Sequence, residues 1–508
     1  MASAAPAETG RTVTTDIPAR LDRLPWSRWH WTIVFGLGTV WILDGLEVTV
    51  VGNIAGRLSE PGSGLPITSG QVTGLAAALY VAGACAGALF WGRLTDKWGR
   101  KKLFMITLAV YLGATALTAV SFDSWWFFLF RFLTGFGIGG EYAAINSAID
   151  ELIPAEYRGR VDLMINGSFW LGAVGGSLLS IVALNTEILP KDVGWRLTFA
   201  LGAVLALVIL LVRRHVPESP RWLLIHGRDE EAERIVSSIE RTVEAQKGQP
   251  LARPEGEITI HQRRSVTFLD IARTVFGTYR KRATLGFALF IGQAFLYNAI
   301  TFGFGAILAT FFDVPTGNTG YYFAVIALGN FFGPLLLGKL FDTVGRRIMI
   351  SGTYLLSGLL LFGTAWLFDR GSLTAGTLTA CWCAVLFFAS AGASSAYLTV
   401  SEVFPMETRA MSIAFFYALG TAAGGISGPL LFADLTGTGK VGDTVLAFQI
   451  GAGLMCAAGL VAALLAVRAE RRSLEDIARP LTAAASAAKD RAATSQSGTS
   501  RGSRPATA

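Results

Sequence analysis

The stretch "GRLTDKWGRK", Gly92 to Lys101, carries five charged side chains, Arg93, Asp96, Lys97, Arg100 and Lys101, between two of the most apolar runs of the chain. It returns as "GKLFDTVGRR", Gly338 to Arg347. Both copies read G-x-x-x-D-x-x-G-R followed by Lys or Arg. How the rest of the chain divides follows from these two copies.

The runs around them set the fold class. Of 508 residues, 52% are hydrophobic and only 16% are charged, where soluble domains carry about 25%. Apolar runs of about 20 residues recur, the length a helix needs to cross a bilayer core of about 30 Å. About twelve are visible, near 31–54, 70–91, 102–120, 125–149, 164–185, 195–213, 283–310, 320–337, 348–368, 375–400, 411–433 and 444–467. A membrane barrel would show short alternating segments instead. The expectation is an all-α membrane protein of twelve transmembrane helices, with the lipid bilayer as its surroundings.

The formal charge of +7 is not a nucleic-acid signal, because Lys and Arg cluster in alternate loops. The N-terminal tail, the loop at 92–102, the pair Arg158 and Arg160, the long central loop and the segment Lys339–Arg347 are basic; the loops between them are not. The positive-inside rule then predicts both termini in the cytoplasm of a multi-pass plasma (inner) membrane protein. The first 30 residues are polar and the first apolar run is long enough to span, so no cleavable signal peptide is expected.

The runs fall six and six. The predicted organisation is a cytoplasmic tail (1–30), a six-helix bundle (31–213), a cytoplasmic loop with surface helices (214–282), a second bundle (283–468) and a disordered tail (469–508). In the central loop, "DEEAERIVSSIERTVEAQ" has the pattern of an amphipathic surface helix. "FLDIARTVFGTYRKR" reads as a helix lying on the membrane face. A second motif is duplicated too: "ELIPAEYRG" (Glu151 to Gly159) and "EVFPMETRA" (Glu402 to Ala410) share E-x-x-P-x-E-x-R and a small residue. Each follows the fourth run of its half. Two motifs, each repeated at the same place, imply two pseudo-symmetric bundles, and parallel repeats of this kind belong to transporters with a midplane site.

The repeated charges are then candidates for a gate at the cytoplasmic mouth. Gly92, Gly99, Gly338 and Gly345 permit tight turns and close approach. Asp96 and Asp342 are placed to accept hydrogen bonds at a helix N-terminus. The arginines and lysines can pair with Glu151, Glu218 or Glu402. The simpler reading, that basic residues only fix orientation, explains Arg and Lys but neither the Asp nor the glycines.

The sequence resembles the major facilitator superfamily from about residue 30 to 468. The G-x-x-x-D-x-x-G-R loops are that superfamily's signature, while "PESPRWL" (Pro217 to Leu223) and "RFLTGFGIGGEY" (Arg131 to Tyr142) resemble its sugar-porter and metabolite-symporter branch. The resemblance implies a cytoplasmic salt-bridge lock on Arg100, Lys101, Glu151, Arg158, Glu218, Arg221, Arg346, Arg347, Glu402 and Arg409.

Charges inside the spans are few, and charge at membrane depth is costly enough to be functional by default. They are Asp44 and Glu47 in the first span and Arg131 and Glu141 in the fourth. Asp44 and Glu47 share a helix face. At 1.5 Å per residue, Asp44 lies roughly 20 Å from the inner surface and Arg131 roughly 10 Å from the outer, so their depths coincide. An acid and an arginine at one depth form either a switchable or a permanent pair. In proton-coupled relatives a first-span acid and this Arg couple proton movement, and "DGLE" resembles the D-G-x-D of aromatic-acid symporters. Glu141 is either a relay or a packing residue. All four histidines fall outside the spans.

The second half supplies no buried charge but several polar groups at span depth, Gln293, Tyr297, Asn298, Asn330 and Tyr397 among them, with Ser394, Ser395 and Tyr417. With Asn166 and Trp170 of the fifth span, the first five are the candidate substrate-cavity residues; Phe295 and Phe302 are further candidates for its wall. Sugar porters carry Q-Q-x-x-G-x-N in the seventh span and G-P-x-P-x-W in the tenth. Here "GQAFLYN" keeps Gln293 and Asn298 only, and "ASSAY" has no proline. A hexose needs many satisfied hydrogen bonds. The reading is a secondary active transporter of a small organic anion or other metabolite, working by alternating access with proton symport, as a monomer. A sugar symporter, a facilitator and a non-transporting nutrient sensor are the alternatives. No cofactor or metal is implied: Cys381 and Cys383 have no His nearby, and no HExxH or nucleophile elbow points to an enzyme.

Overall fold

The computed structural model describes residues 12–478 apart from 69, 214–217, 255, 262–271, 405–408 and 473. The side chains of Asp96 and Arg100 also lie outside the described residues. Ten helices among those described are long and apolar enough to cross a membrane. Two further long helices, α5 (Ser124–Leu152) and α7 (Lys191–Arg213), stand where the fourth and sixth spans are expected. The others of the first half are α2 (Arg28–Leu58), α3 (Ala77–Trp98, entered through a π turn at Gln71–Ala76), α4 (Arg100–Ala119) and α6 (Arg158–Ala183).

Between the halves lie α8 (Pro220–Ile225) and α9 (Asp229–Lys247). The second half holds α10 (Arg280–Phe312), α11 (Thr319–Thr343), α12 (Arg346–Asp369), α13 (Ala375–Val403), α14 (Arg409–Thr421), α15 (Ser427–Gly437, joined to α14 by a π turn at Ala422–Ile426) and α16 (Val441–Leu465). Large apolar side chains such as Leu464, Trp125 and Phe122 face outward, as a lipid solvent requires.

The repeated motif has the same backbone role twice. Gly99 and Gly345 take φ of 92° and 115° between α3 and α4 and between α11 and α12. Only glycine adopts that conformation without strain. In α5, Gly135 and Gly139 are the close-approach surface against α3: a Cβ on them would fall 2.0 Å from the Tyr80 carbonyl oxygen and 1.9 Å from that of Ala84. Small residues at such crossings bring membrane helices into backbone contact. The two halves meet where α6 packs on α11, with Gly167 against Pro334.

The central loop has a core of its own. Ala232, Val236, Ile239 and Val243 form the buried stripe of α9, at the spacing of one helix face. They pack on Trp222, Leu223 and Leu224 of α8 and on Ile17 and Leu21 of a short N-terminal helix, α1 (Ile17–Asp22). The chain before α1 pairs as a strand, Thr12–Thr15, antiparallel to Ile258–His261. The described part of the N-terminal tail, from Thr12, is therefore built into the loop module, which its composition did not signal.

Of the segment expected as a helix on the membrane face, the described part is helical, Ala272 and Arg273 followed by a π turn at Thr274–Thr278 that leads into α10, and residues 268–271 lie outside the described residues. The expectation for the C-terminal tail changes. The chain stays packed beyond residue 470: Leu474, Ile477 and Ala478 are buried, and the Ile477 carbonyl accepts from Arg282 at 3.0 Å. Residues 479–508 lie outside the described residues.

Candidate functional site: a central cavity, a buried ion pair and a charged lock

Arg131 Nη1 donates to Glu47 Oε1 at 2.7 Å, and both side chains are 1% exposed. The guanidinium also lies 4.9 Å from the Tyr80 ring centre and 5.7 Å from that of Phe199. Two charges withdrawn from water cost several kcal/mol each unless closely paired, and the ring faces add attraction for the cation. Depth alone did not distinguish the two acids; the hydrogen-bond partner is Glu47. Asp44 is completely buried one helical turn away on the same side of α2. Glu141 is buried too, about 15 Å further along α5, outside the pair.

Beside the pair lies a cavity of about 140 Å³. Its walls come from α2, α3, α5 and α6 on one side and from α10, α13 and α14 on the other. Asn166, Trp170, Gln293, Tyr297, Asn298 and Tyr397 line it, and Ser394, Tyr417 and Phe302 join them. Asn330 does not. It is buried behind Tyr297, whose hydroxyl donates to Asn330 Oδ1 at 2.8 Å. A buried phenol needs such a partner, so Asn330 orients the wall rather than forming it. Phe295 packs away from the cavity, and Ser395 turns its hydroxyl to the Gly392 carbonyl at 2.6 Å.

Four aromatic wall residues were not anticipated: Trp41, Tyr80, Tyr142 and Phe169. Trp41 and Tyr142 stack face to face, ring centres 4.7 Å apart and 6° from parallel. On α2 the signal existed, since Trp41, Asp44 and Val48 recur at helical spacing; the tyrosines of α3 and α5 carried none. Tyr80 belongs to both features: one ring covers Arg131 and lines the cavity. Among the described lining residues none is charged.

At the basic end of the bundle the second half makes a complete lock. Arg346 binds Glu402 through two nitrogens, at 3.0 and 3.1 Å, and Asp342 at 2.8 Å. Asp342 Oδ2 also accepts from the backbone amide of Arg160 at 2.8 Å, in the first turn of α6. A carboxylate there satisfies an orphan amide and the helix dipole. Gly159 makes this possible: a Cβ on it would fall 2.3 Å from Arg346 Nη1 and 2.4 Å from Asp342 Oδ1. Gly338 is looser, with its nearest neighbour at 3.5 Å.

The first half is arranged differently. Ser219 caps α8 by accepting from the Trp222 amide at 3.0 Å, with Pro220 in the first helical position, a favoured pairing at a helix start. The Ser219 hydroxyl also donates to Glu151. Arg221 donates to the Glu151 carbonyl at 3.1 Å. Glu218 accepts from the Lys101 amide at 3.1 Å, and Gly99 leaves the room, for a Cβ there would lie 2.7 Å from Glu218 Oε2. Gly92 packs close to Ala414. Arg158 and Arg221 share Asp22 of α1, at 3.3 and 3.7 Å, a partner that sequence reasoning missed. Arg409 donates to the Ser401 carbonyl at 2.7 Å. Arg347 stands apart from the lock, exposed and bonded to the Ala463 carbonyl at 2.6 Å. Asp96 and Arg100, by side chain, lie outside the described residues.

A family model described as "Sugar (and other) transporter" matches residues 27–481. A niacin transporter of Acinetobacter baylyi is 26% identical, covering 82% of this chain and 89% of the relative. A putative metabolite transport protein of Bacillus subtilis is 28% identical over 79% of this chain and 85% of its own length. In fold the chain is similar to a solved structure of the proton:xylose symporter XylE, with a TM-score of 0.71 and 18% identity over 88% of this chain and 98% of that one. Taken with the membrane-length helices, these matches establish that the chain belongs to the sugar (and other) transporter family, as a multi-pass membrane protein of the major facilitator fold and of sugar-porter type.

Proposed function

We propose that the protein is a proton-coupled symporter of a small organic metabolite, working by alternating access. The observation that carries this reading is the contact of Tyr80 with both Arg131 and the cavity. While Glu47 is ionised it holds Arg131 at 2.7 Å. A proton on Glu47 removes the charge that holds the arginine, and the shared tyrosine passes that change to the cavity wall. Asp44, completely buried a turn away in the same low-dielectric interior, is the second acid.

In this reading residues 31–213 and 283–468 are two six-helix bundles of twelve spans, moving about a cavity between them in the plasma membrane. Both termini and the loop module are cytoplasmic, which places the Asp342–Arg346–Glu402 lock at the cytoplasmic mouth. Its bond to the Arg160 amide ties the second half to the first, so opening that face must break it. One chain supplies both cavity walls, which supports action as a monomer. The niacin and metabolite transporters among its relatives support a substrate outside the hexoses.

The test is uptake in proteoliposomes with an imposed pH gradient, over hexoses, organic acids and aromatic amides. Wild type should concentrate at least one solute. Glu47→Gln should abolish accumulation yet retain exchange of that solute at equal pH. Accumulation by Glu47→Gln equal to wild type would leave a facilitator.

A further inference from the structure

The polar groups of the cavity say more about its ligand than its volume does. Asn166 is buried and donates both amide hydrogens, one to Asn146 Oδ1 at 3.1 Å and one to the Asp162 carbonyl at 3.0 Å. Asn146 is fixed in turn, donating to the Tyr142 carbonyl at 2.8 Å. The amide of Asn166 therefore cannot be reversed, and its Oδ1 remains as an acceptor with no hydrogen bond among the described residues. Trp41 Nε1 is in the same condition as a donor, and indole N–H can do nothing else. Both side chains line the cavity. The hydroxyls of Tyr80, Ser390 and Thr421 on the same walls are in that condition too, but a hydroxyl can donate or accept. Asn166 Oδ1 and Trp41 Nε1 are the two whose sense is fixed, and because leaving buried polar groups unmet is expensive, the ligand that fits must bring at least one donor and one acceptor.

Charge narrows the class. Among the described lining residues there is no Lys, Arg or His, and the nearby Arg131 is neutralised by Glu47. A carboxylate would enter without a counter-charge, and it offers Asn166 Oδ1 no hydrogen. The anion considered from the sequence is therefore poorly matched. The walls select a flat apolar body: the Trp41–Tyr142 stack stands on one side, and Trp170 with Tyr297, ring centres 5.2 Å apart, on another. Rings prefer to meet other rings offset or edge to face.

We propose that the cavity binds an uncharged planar aromatic ring bearing a carboxamide, whose N–H meets Asn166 Oδ1 and whose carbonyl accepts from Trp41 Nε1. This rests on the cavity being the transport site of the proposed symporter, and it names the substrate class of that site.

The purified full-length protein decides the matter at pH 7.5, with binding read by tryptophan fluorescence and by thermal shift. The probes are nicotinamide and benzamide, their carboxylates nicotinate and benzoate, and xylose. The amides should bind at least tenfold more tightly than the carboxylates, with xylose weaker still. Trp41→Phe keeps a ring and removes the N–H; it should weaken the amides about tenfold. Carboxylates binding as tightly as amides, xylose displacing them, or no response to either amide would each overturn the assignment. Accumulation assays separate this from the wider reading. Were xylose or nicotinate concentrated in a Glu47-dependent way, the symporter would stand and the amide would fall.

Discussion

The Tyr80 ring lies 4.9 Å from the Arg131 guanidinium and forms part of the cavity wall, so one side chain touches both the buried charge pair and the space where a solute sits. A desolvated cation over a ring is worth about 2 kcal/mol. Tyr80→Phe keeps the ring and should preserve pH-driven accumulation. Tyr80→Ala should lower the ratio of accumulation to passive exchange at least tenfold, measured in the same vesicles. Equal ratios in Ala and Phe variants would remove Tyr80 from the coupling path.

Arg131 pairs with Glu47, both side chains 1% exposed. Breaking a buried pair from one side costs about 3–5 kcal/mol. Arg131→Ala should therefore lower the melting temperature more than Glu47→Gln does, since it strands Glu47 as a buried anion beside Asp44. The double variant should recover part of the loss. A double variant less stable than Arg131→Ala alone would contradict this.

Asp342 joins the second half to the first turn of α6, and hydrogen bonds to a charged acceptor are worth about 1.5–3 kcal/mol. Asp342→Asn should shift the resting population toward the form open at the basic end. Gly159→Val should do so more strongly, because its side chain occupies the space of Arg346 Nη1 and Asp342 Oδ1. A cysteine at cavity residue Ser394, in a background without other cysteines, should label faster from that end in both variants. Unchanged labelling would leave the basic residues with orientation as their only role.

Arg20 of α1 bonds Glu240 and Glu233 of α9 at 2.6 and 2.7 Å, and Arg23 also reaches Glu240. Burial works to raise the Glu240 carboxyl, but the hydrogen bonds and charges of Arg20 and Arg23 outweigh it and hold it below its ordinary value. The hydrogen bond to Glu240, ahead of the opposing effect of burial, raises Arg20. A depressed carboxyl contributes stability above its unfolded value and loses it as pH falls through the lower folded value. Hydrogen exchange over 17–22 should stay slow from neutral to mildly acid pH and accelerate only below the usual carboxylate range. Acceleration between pH 7 and 6 would show that another group controls the clip.

Pro61 and Gln249 are exposed at opposite ends of the molecule in the topology proposed above. A cysteine at Pro61 should react with an impermeant maleimide in intact cells, and one at Gln249 only after permeabilisation. The reverse pattern would invert the protein in the membrane.

The sequence by itself determined the features that depend on local spacing. Apolar runs of bilayer length predicted the helices, because in lipid a segment must satisfy its own backbone. The duplicated glycines, Gly99 and Gly345, marked both turns because only a positive φ closes them. Six of the seven proposed cavity residues reached the cavity, since polar groups at span depth have few other places to go. Tertiary structure decided what depends on helix rotation and approach. Asp44 and Glu47 share a face of α2, and the packing of α5 through Gly135 and Gly139 on α3 helps set which acid Arg131 meets. Whether Asn330 lines the wall or stands behind Tyr297 is a matter of ångströms between α10 and α11. Asp22 lies 136 residues from Arg158 in the chain; the apolar face of α9, by holding α1 in place, brings them together.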